Sequence, residues 1–125
     1  MKLLDTSVAV DYLRRTQSAV SLLDGLAASN DDLVASELVR FELLAGARDS
    51  ELQGIESFSA GFEWVPVGTE VAKLGGALAR RYRPAYGGIE DVDFLIAATA
   101  LLLDADLLTT NVEHFPMLEG LASAY

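Results

Sequence analysis

The stretch IEDVDFLIAATALLLDADLLTTNVEHF, residues 89–115, decides the fold of this chain. Two carboxylates near its start, Asp91 and Asp93, lead into an apolar block over residues 94–103. An acidic turn follows, and a second apolar burst stops at Asn111. Acidic residues favour the first turn of a helix, where free N–H groups and the helix dipole attract negative charge. The stretch therefore predicts a helix with Asp91 as its N-cap, a tight turn, and a buried strand that ends in Asn111.

Short apolar bursts alternate with helical patterns along the rest of the chain. Strands are predicted at residues 2–4, 33–35, 62–67, 107–110 and, as a last short strand, 121–125. Helices are predicted at residues 8–15, 18–28, 37–48, 69–83 and 93–103. Thr6 or Ser7 is expected to cap the first of them. A further helix is predicted to begin at a capping box of Ser50 and Gln53 and to end near residue 61. Pro66 indicates an edge position for its strand. This alternation is typical of an α/β fold. We predict one domain over residues 1–125, with a mostly parallel central sheet flanked by helices.

Composition excludes several classes of protein. Hydrophobic residues make up 51% of the chain, which favours a globular fold over disorder. The absence of cysteine excludes disulfides and thiolate metal ligands. The longest apolar run is shorter than the ~20 residues that a membrane-spanning helix needs. No signal peptide is expected, because Asp5 interrupts residues 1–10 and Asp11 follows them. We expect a cytoplasmic protein with no membrane contact.

The charge balance is strongly acidic, with a formal net charge of −10. Nucleic-acid binders are usually basic, so binding through the general field of the protein is not expected. An acidic site that gathers divalent cations, or a basic partner protein, fits this charge. The arginines form two clusters, Arg14 with Arg15 and Arg80 with Arg81 and Arg83. These arginines are candidates for contacts with phosphates, and solvated helix faces are the alternative.

Three carboxylates stand in apolar surroundings. Asp5 ends an apolar strand, where the alternative role is a helix N-cap. Glu42 lies within an apolar stripe of its helix, and it needs a partner because burial of an unpaired charge is costly. An arginine salt bridge is the alternative to a metal-binding role for Glu42. Asp93 begins a helix, where interaction with the helix dipole is the alternative role.

These acids are expected to meet at one edge of the sheet. In a parallel sheet the carboxyl ends of the strands and the starts of the following helices share an edge. Asp5 and Asn111 end two strands there, Asp93 begins a helix, and Glu42 lies in the second turn of another. Like charges at close range need a counter-charge, and a hard divalent cation with oxygen ligands supplies one. The sequence therefore predicts a Mg²⁺ or Mn²⁺ site suited to activating water against a phosphodiester.

Four blocks resemble a PIN domain, and in detail the VapC-type toxins of prokaryotic toxin–antitoxin pairs. They are LLDTSV around Asp5, FELLAGA around Glu42, DFLIAATAL from Asp93, and LLTTNVEHF around Asn111. The resemblance covers essentially the whole chain, and the third block is its most specific part. It implies a Mg²⁺- or Mn²⁺-dependent endoribonuclease that cuts single-stranded or loop RNA, such as tRNA, rRNA or mRNA.

The resemblance also implies roles for individual residues. Asp5 and Asp93 match the principal metal ligands, and Glu42 matches a third acid that binds metal or orients the attacking water. Ser7 and Thr109 match polar positions that support the site. Asn111 stands where many relatives carry a fourth aspartate, which puts a second, tightly held metal in doubt. His114 is a possible general base, but it falls in a loop after the fourth-acid position, and we interpret it as structural.

The family resemblance implies two protein partners as well. One is a second copy of the chain in a homodimer. The other is a cognate antitoxin of the VapB type, which places a basic side chain among the acids and covers a surface that includes Phe41 and Leu44. The alternatives are a catalytically weak PIN-like module that binds RNA or a partner, and a housekeeping nuclease of RNA processing. A phosphatase with Asp5 as nucleophile is disfavoured, because position 7 is serine where that chemistry uses a second aspartate.

Overall fold

A parallel four-stranded sheet organises the computed structural model, which describes residues 1–125. The strands are β1 (Lys2–Leu4), β2 (Leu33–Ser36), β3 (Glu63–Val65) and β4 (Asp106–Leu108), in the spatial order β3-β2-β1-β4. The central strand β1 pairs with β2 on one side and with β4 on the other. The predicted α/β architecture is confirmed, and β3, the strand that precedes Pro66, lies at an edge as expected.

Helices connect the strands. They are α1 (Thr6–Leu13), α2 (Gln17–Ala28), α3 (Glu37–Ala45), α4 (Leu52–Ser59), α5 (Thr69–Tyr82) and α6 (Asp91–Leu103), with short 3-10 helices at Asp49–Glu51 and Val112–His114. None of them combines the length and the apolar character that crossing a membrane requires.

Helix α6 forms much of the core because it is apolar around most of its circumference. Six consecutive or nearly consecutive side chains in it are buried: Phe94, Ile96, Ala97, Ala98, Thr99 and Ala100. Four of them, Phe94, Ile96, Ala97 and Ala100, join residues of the two central strands, such as Leu3 and Val34, in one cluster. The same helix begins with Asp91 and Asp93, so burial of its apolar body fixes the position of its acidic start.

Helices α5 and α6 approach closely at Gly75. A Cβ atom at this position would lie 2.8 Å from Cδ2 of Leu95, whereas a Cβ atom at the neighbouring Gly76 would meet nothing within 4 Å. Gly75 is buried and Gly76 is exposed. The absence of a side chain at Gly75 therefore permits the helix contact, and Gly76 has no such role.

This difference predicts opposite effects of two substitutions. Gly75→Leu is expected to lower the free energy of unfolding by about 1–3 kcal/mol, because added volume in a packed contact forces its neighbours apart. Gly76→Ala is expected to raise it by up to about 1 kcal/mol, because alanine favours helix. Urea unfolding of both variants measures this, and destabilisation by Gly76→Ala would contradict the assigned packing.

Several predicted boundaries are wrong for local reasons. Helix α3 stops at Ala45 because Gly46 caps it, so the helix predicted over residues 37–48 is shorter. Ser50 does not form a capping box with Gln53, because it lies inside the 3-10 helix Asp49–Glu51. There the Arg48 N–H donates to Glu51 Oε1 at 2.8 Å.

The helix starts near the site also differ from prediction. Asp5 itself occupies the N-cap position of α1, and neither Thr6 nor Ser7 does. Glu90, not Asp91, occupies the N-cap position of α6. The Asp93 carboxylate accepts the backbone N–H of Glu90 at 3.1 Å, so Asp93 is a capping side chain as well as a candidate site residue.

The last part of the chain contains no fifth strand. Residues 121–125, predicted as a strand, make one backbone hydrogen bond to the rest of the fold, from the Ala124 N–H to the Thr109 carbonyl at 2.8 Å. Strand β4 ends at Leu108 because its partner β1 ends at Leu4. The strand predicted to reach Asn111 is thus shorter, and Thr109 is free to turn its side chain towards Asp5.

Candidate functional site

A polar cavity of about 350 Å³ opens at the carboxyl end of the sheet. It lies beside β1, the strand from which the chain proceeds to β2 on one side while β4 pairs on the other. Open α/β sheets bind ligands where the strand order reverses in this way. The cavity is lined by Asp5, Thr6, Ser7, Val10, Asp11, Glu42, Glu90, Asp93, Thr110, Asn111 and His114. The lining contains five carboxylates and no lysine or arginine.

Asp5 is the most buried acid of the cavity, with 4% of its surface exposed. Its Oδ2 atom accepts hydrogen bonds from Thr109 Oγ1 at 2.6 Å and from Ser7 Oγ at 3.0 Å. Its backbone N–H donates to the Leu108 carbonyl at 3.0 Å, which ties the acid to β4. Ser7 and Thr109, which the family resemblance implied as supporting residues, both donate to this oxygen and so hold the Asp5 carboxylate in one orientation.

Glu42 is half-buried and is held by a different hydroxyl. Thr6 Oγ1 donates to Glu42 Oε1 at 2.7 Å. The arginine alternative does not occur, because the nearby Arg40 pairs with Glu37 at 2.6 Å, and Glu42 forms no salt bridge. The role of Thr6 went unnoticed in the sequence because the two partners lie 36 positions apart.

Asp93 faces the same cavity from the start of α6. Its Oδ2 atom accepts the Glu90 N–H and lies 3.4 Å from His114 Nδ1. Burial raises the pKa of the Asp93 carboxyl above its ordinary value, and repulsion from Asp5 and Glu90 acts in the same direction. The Glu90 N–H and the proximity of His114 oppose this rise. The groups around Asp93 therefore do not fully compensate the negative charge of its ionised form.

The three carboxylates share a pattern of bonding. Each uses one oxygen to accept hydrogen bonds from the protein: Oδ2 of Asp5, Oε1 of Glu42 and Oδ2 of Asp93. The second oxygen of each forms no hydrogen bond to protein, and no buried side-chain polar atom of the chain lacks a partner. The second oxygens are therefore accessible from the cavity. Held and free oxygens in this arrangement suit an oxygen-liganded cation.

This donor set fits a hard divalent metal ion. No group of three acidic or histidine side chains lies ready-made as a metal centre. Such a group is not required, because Mg²⁺ commonly uses one or two carboxylates and keeps several waters. Asp5 and Asp93 lie close enough for repulsion to affect the pKa of Asp93. A cation between them would relieve that repulsion.

Asn111 and His114 also line the cavity. Asn111 occupies the N-cap position of the 3-10 helix Val112–His114, and its side chain forms no hydrogen bond although it lines the cavity. This short helix folds the chain back, so that His114 reaches Asp93. His114, which we interpreted as structural, thus lies beside an acid of the cavity. Its position three residues after Asn111 is a local signal that pointed to the same loop.

The candidate phosphate-binding arginines lie outside this cavity. Arg14 lines an adjoining cavity that shares Val10 and Glu42 with the site. Arg80 and Arg83 line a groove between α5 and α6, where Arg83 forms a salt bridge with Asp91. Arg15 and Arg81 are exposed. Among these arginines, Arg14 has the most direct connection to the acids.

Comparison with known proteins identifies the fold family. The PIN domain profile matches residues 2–118 of the chain. The chain belongs to the PIN domain family. This PIN domain is 55% identical over all 125 residues to Ribonuclease VapC19 of Mycobacterium tuberculosis H37Rv, with both chains covered in full. It is 37% identical over 123 residues to Ribonuclease VapC10 of the same strain, which covers 97% of this chain and 90% of the relative.

Solved structures agree with the assigned fold. The PIN domain superposes on a chain of the VapBC2 complex from Rickettsia felis, bound to a promoter DNA fragment, with a TM-score of 0.81. The match covers 98% of this chain and 96% of the other at 24% identity, so it concerns the fold alone. The resemblance noted in the sequence is thus confirmed. VapC ribonucleases with this PIN domain generally depend on a divalent metal.

The hydrogen bond from Thr109 to Asp5 predicts that loss of the Thr109 hydroxyl lowers metal affinity or activity, apart from any effect on stability. Thr109→Val keeps the volume of this fully buried side chain but removes the hydroxyl. We expect a loss of roughly 10- to 100-fold in metal affinity or in RNA cleavage, as is typical when a partner of a metal ligand is removed. Calorimetric titration with Mn²⁺ and a cleavage assay measure the two quantities.

A matched control is Thr99→Val in α6. Thr99 is also buried, and its hydroxyl donates to the Leu95 carbonyl at 2.8 Å, away from the acids. This variant is expected to change the free energy of unfolding by about 1 kcal/mol without changing metal affinity. Equal losses of metal affinity in both variants would contradict the supporting role of Thr109.

Proposed function

We propose that this protein is a metal-dependent endoribonuclease and the toxin component of a toxin–antitoxin pair. The observation that carries the proposal is the bonding pattern of Asp5, Glu42 and Asp93, each with one held oxygen and one oxygen open to a shared cavity. The names of the full-length relatives, which are called ribonucleases, support the same reaction class. The proposed domain spans residues 1–125, and the proposed compartment is the cytoplasm.

Asp5 and Asp93 are the proposed ligands of a Mg²⁺ or Mn²⁺ ion, with Glu42 as a third acid. When bound, the ion makes a water molecule more acidic and offsets charge on the phosphodiester under attack. Ser7 and Thr109 keep the free oxygen of Asp5 directed to the cavity, because they occupy its other oxygen. Thr6 does the same for Glu42, which leaves its Oε2 atom for the proposed role of binding the ion or orienting the attacking water.

Asn111 has a weaker role in this proposal. Its amide oxygen is a neutral metal ligand, whereas an aspartate at this position would add a negative charge. Hard cations bind carboxylates more tightly than amides, so the neutral side chain favours one strongly held ion over two. Asn111→Asp is therefore a gain-of-charge variant for measuring the number of ions bound.

Cleavage of total cellular RNA tests the proposed activity. Protein stripped of metal with EDTA is expected to leave the RNA intact, and added Mg²⁺ or Mn²⁺ is expected to restore cleavage. Sequencing of the new ends then identifies the substrate as tRNA, rRNA or mRNA. Failure to cut with either ion would favour the alternative, a PIN-like module that binds RNA or a protein without cutting.

The proposed protein partner is an antitoxin of the VapB type. Two solved structures with this fold are complexes of that kind, from Rickettsia felis and Salmonella typhimurium. Phe41 and Leu44, with 64% and 44% of their surfaces exposed, offer an apolar surface on the helix that carries Glu42. A basic side chain reaching the cavity would meet the carboxylates. A homodimer is also proposed, and sedimentation velocity of the purified protein measures its mass.

A further inference from the structure

Tyr125 is an exposed aromatic residue bound to Asp11, a residue that lines the acidic cavity. The residue is 41% exposed, and its hydroxyl donates a hydrogen bond to Asp11 Oδ2. Asp11 itself lines the cavity, one helical turn after Ser7. The preceding residue anchors the segment, since the Ala124 N–H donates to the carbonyl of Thr109 at 2.8 Å. The ring is thus held by both its hydroxyl and its backbone.

Its connection to the cavity distinguishes Tyr125 from the other exposed aromatic side chains. Phe41 and Tyr86 are also more than one third exposed. Phe41 is not hydrogen-bonded, and the Tyr86 ring lies 6.0 Å from that of Tyr82 in the α5–α6 connection. Neither contacts a residue that lines the acidic cavity through a hydrogen bond. Only Tyr125 combines exposure, fixed orientation and attachment to the cavity wall.

An acidic nuclease needs a source of affinity for RNA other than its general charge. The chain has a net charge of −10, and no lysine or arginine lines the cavity. Aromatic rings bind single-stranded RNA by stacking on bases, which is independent of phosphate charge. Burial and the adjacent Asp11 carboxylate raise the pKa of Tyr125, so its hydroxyl remains neutral and adds no charge that would repel RNA.

We propose that Tyr125 is a base-stacking platform for a nucleotide of single-stranded RNA beside the cleavage site, oriented by its hydrogen bond to Asp11. This inference rests on the proposed ribonuclease activity. The Tyr125–Asp11 bond fixes the ring so that little conformational freedom is lost when a base stacks on it. Removal of the ring should then weaken RNA binding and raise KM, while kcat is retained because Asp5, Glu42 and Asp93 keep their hydrogen bonds.

Fluorescence anisotropy with a labelled oligoadenosine RNA tests the platform. The measurements use Mn²⁺ and an Asp93→Asn background, which prevents cleavage. Tyr125→Ala is expected to weaken binding by roughly 5- to 100-fold, the range for one base on one aromatic ring. Tyr125→Phe, which keeps the ring, is expected to bind within about threefold of the parent. Tyr86→Ala is the matched control and is expected to bind like the parent.

An abasic ribose-phosphate oligomer of equal length separates stacking from a structural effect. The parent is expected to prefer oligoadenosine over the abasic oligomer, and Tyr125→Ala is expected to lose most of that preference. Equal weakening in the Phe and Ala variants would assign the effect to the hydroxyl and overturn the proposal. Unchanged RNA binding in Tyr125→Ala would overturn it too, including where that variant binds a protein partner less tightly.

The outcomes distinguish this inference from the proposed function. If the wild-type protein cleaves RNA and Tyr125→Ala has the same KM, the stacking platform is wrong and the nuclease stands. If the wild-type protein neither binds nor cleaves RNA, both are wrong. Circular dichroism melting of each variant shows whether the fold is retained.

Discussion

Replacement of Asp5 by Asn is expected to lower the rate of RNA cleavage by more than about 100-fold, since even the loss of a partner behind a metal ligand costs roughly 10- to 100-fold. The asparagine has nearly the same shape and keeps an oxygen that accepts the Thr109 hydroxyl, now 2.6 Å from Asp5. What it loses is the negative charge of a side chain that is only 4% exposed. The fold should therefore persist while metal binding fails.

Asp32→Asn is the matched control for this variant. Asp32 is an exposed acid immediately before β2, at the amino end of the sheet, opposite the cavity. The Asp32→Asn substitution makes the same chemical change as Asp5→Asn and changes the net charge by the same amount. Cleavage of total RNA in Mn²⁺, quantified by primer extension, compares the two. Equal rates in Asp5→Asn and Asp32→Asn would show that the activity does not come from this cavity.

Asp93→Asn is expected to have opposite effects on activity and on stability. Cleavage should fall by more than about 100-fold, for the reason given for Asp5. The metal-free protein should become more stable at neutral pH, because burial and repulsion from Asp5 raise the pKa of the Asp93 carboxyl and so disfavour its charged form in the folded state. Asparagine still accepts the Glu90 N–H that caps α6.

The pH dependence gives this second prediction a definite sign. A carboxyl whose pKa is higher in the folded than in the unfolded state stabilises the fold below its unfolded pKa, and this contribution is lost as pH rises through its folded pKa. The difference in stability by which Asp93→Asn exceeds wild type should therefore be small at acid pH. It should grow as the pH rises from the unfolded pKa to the folded pKa of the Asp93 carboxyl, and stay constant above that range. Melting temperatures of both proteins in EDTA measure the difference.

Added Mn²⁺ should reverse the order of stability. A cation stabilises the ionised carboxylates of the wild-type site and binds the variant less tightly, so it raises the melting temperature of the wild type more. A metal-free Asp93→Asn protein that melts below wild type at neutral pH would contradict the assigned electrostatics of the cavity.

Sequence patterns predicted the elements that carry the acids because each depends on local physics. The apolar block after Asp93 is buried because exposure of so many apolar side chains to water is unfavourable. Its burial places the acidic start of α6 at one edge of the sheet. The short apolar run before Asp5 predicted a buried strand, and β1 is one of the two central strands. Asp5, Glu42 and Asp93 accordingly face one cavity, as the order of strands and helices implied. Their catalytic roles remain predictions.

The contacts that refine the site depended on residues remote in sequence. Thr109 and Asp5 lie 104 positions apart, and Tyr125 and Asp11 lie 114 apart. No periodicity or spacing links such pairs. The segment 121–125 illustrates the same limit, since its apolar residues suggested a strand although it makes only one backbone hydrogen bond to the rest of the fold, from the Ala124 N–H to the Thr109 carbonyl. The proximity of His114 to Asp93 was not predicted, because the short 3-10 helix that brings them together is not visible as a sequence pattern.

Calorimetric titration of the metal-free protein with Mn²⁺ tests the central claim that the acidic cavity is a cation site. The wild type is expected to bind the ion, while Asp5→Asn and Asp93→Asn each bind it more than about tenfold more weakly. Glu42→Gln should have a smaller effect if Glu42 acts mainly on the attacking water. Wild-type affinity in both Asp5→Asn and Asp93→Asn would contradict the claim and place any metal elsewhere on the protein.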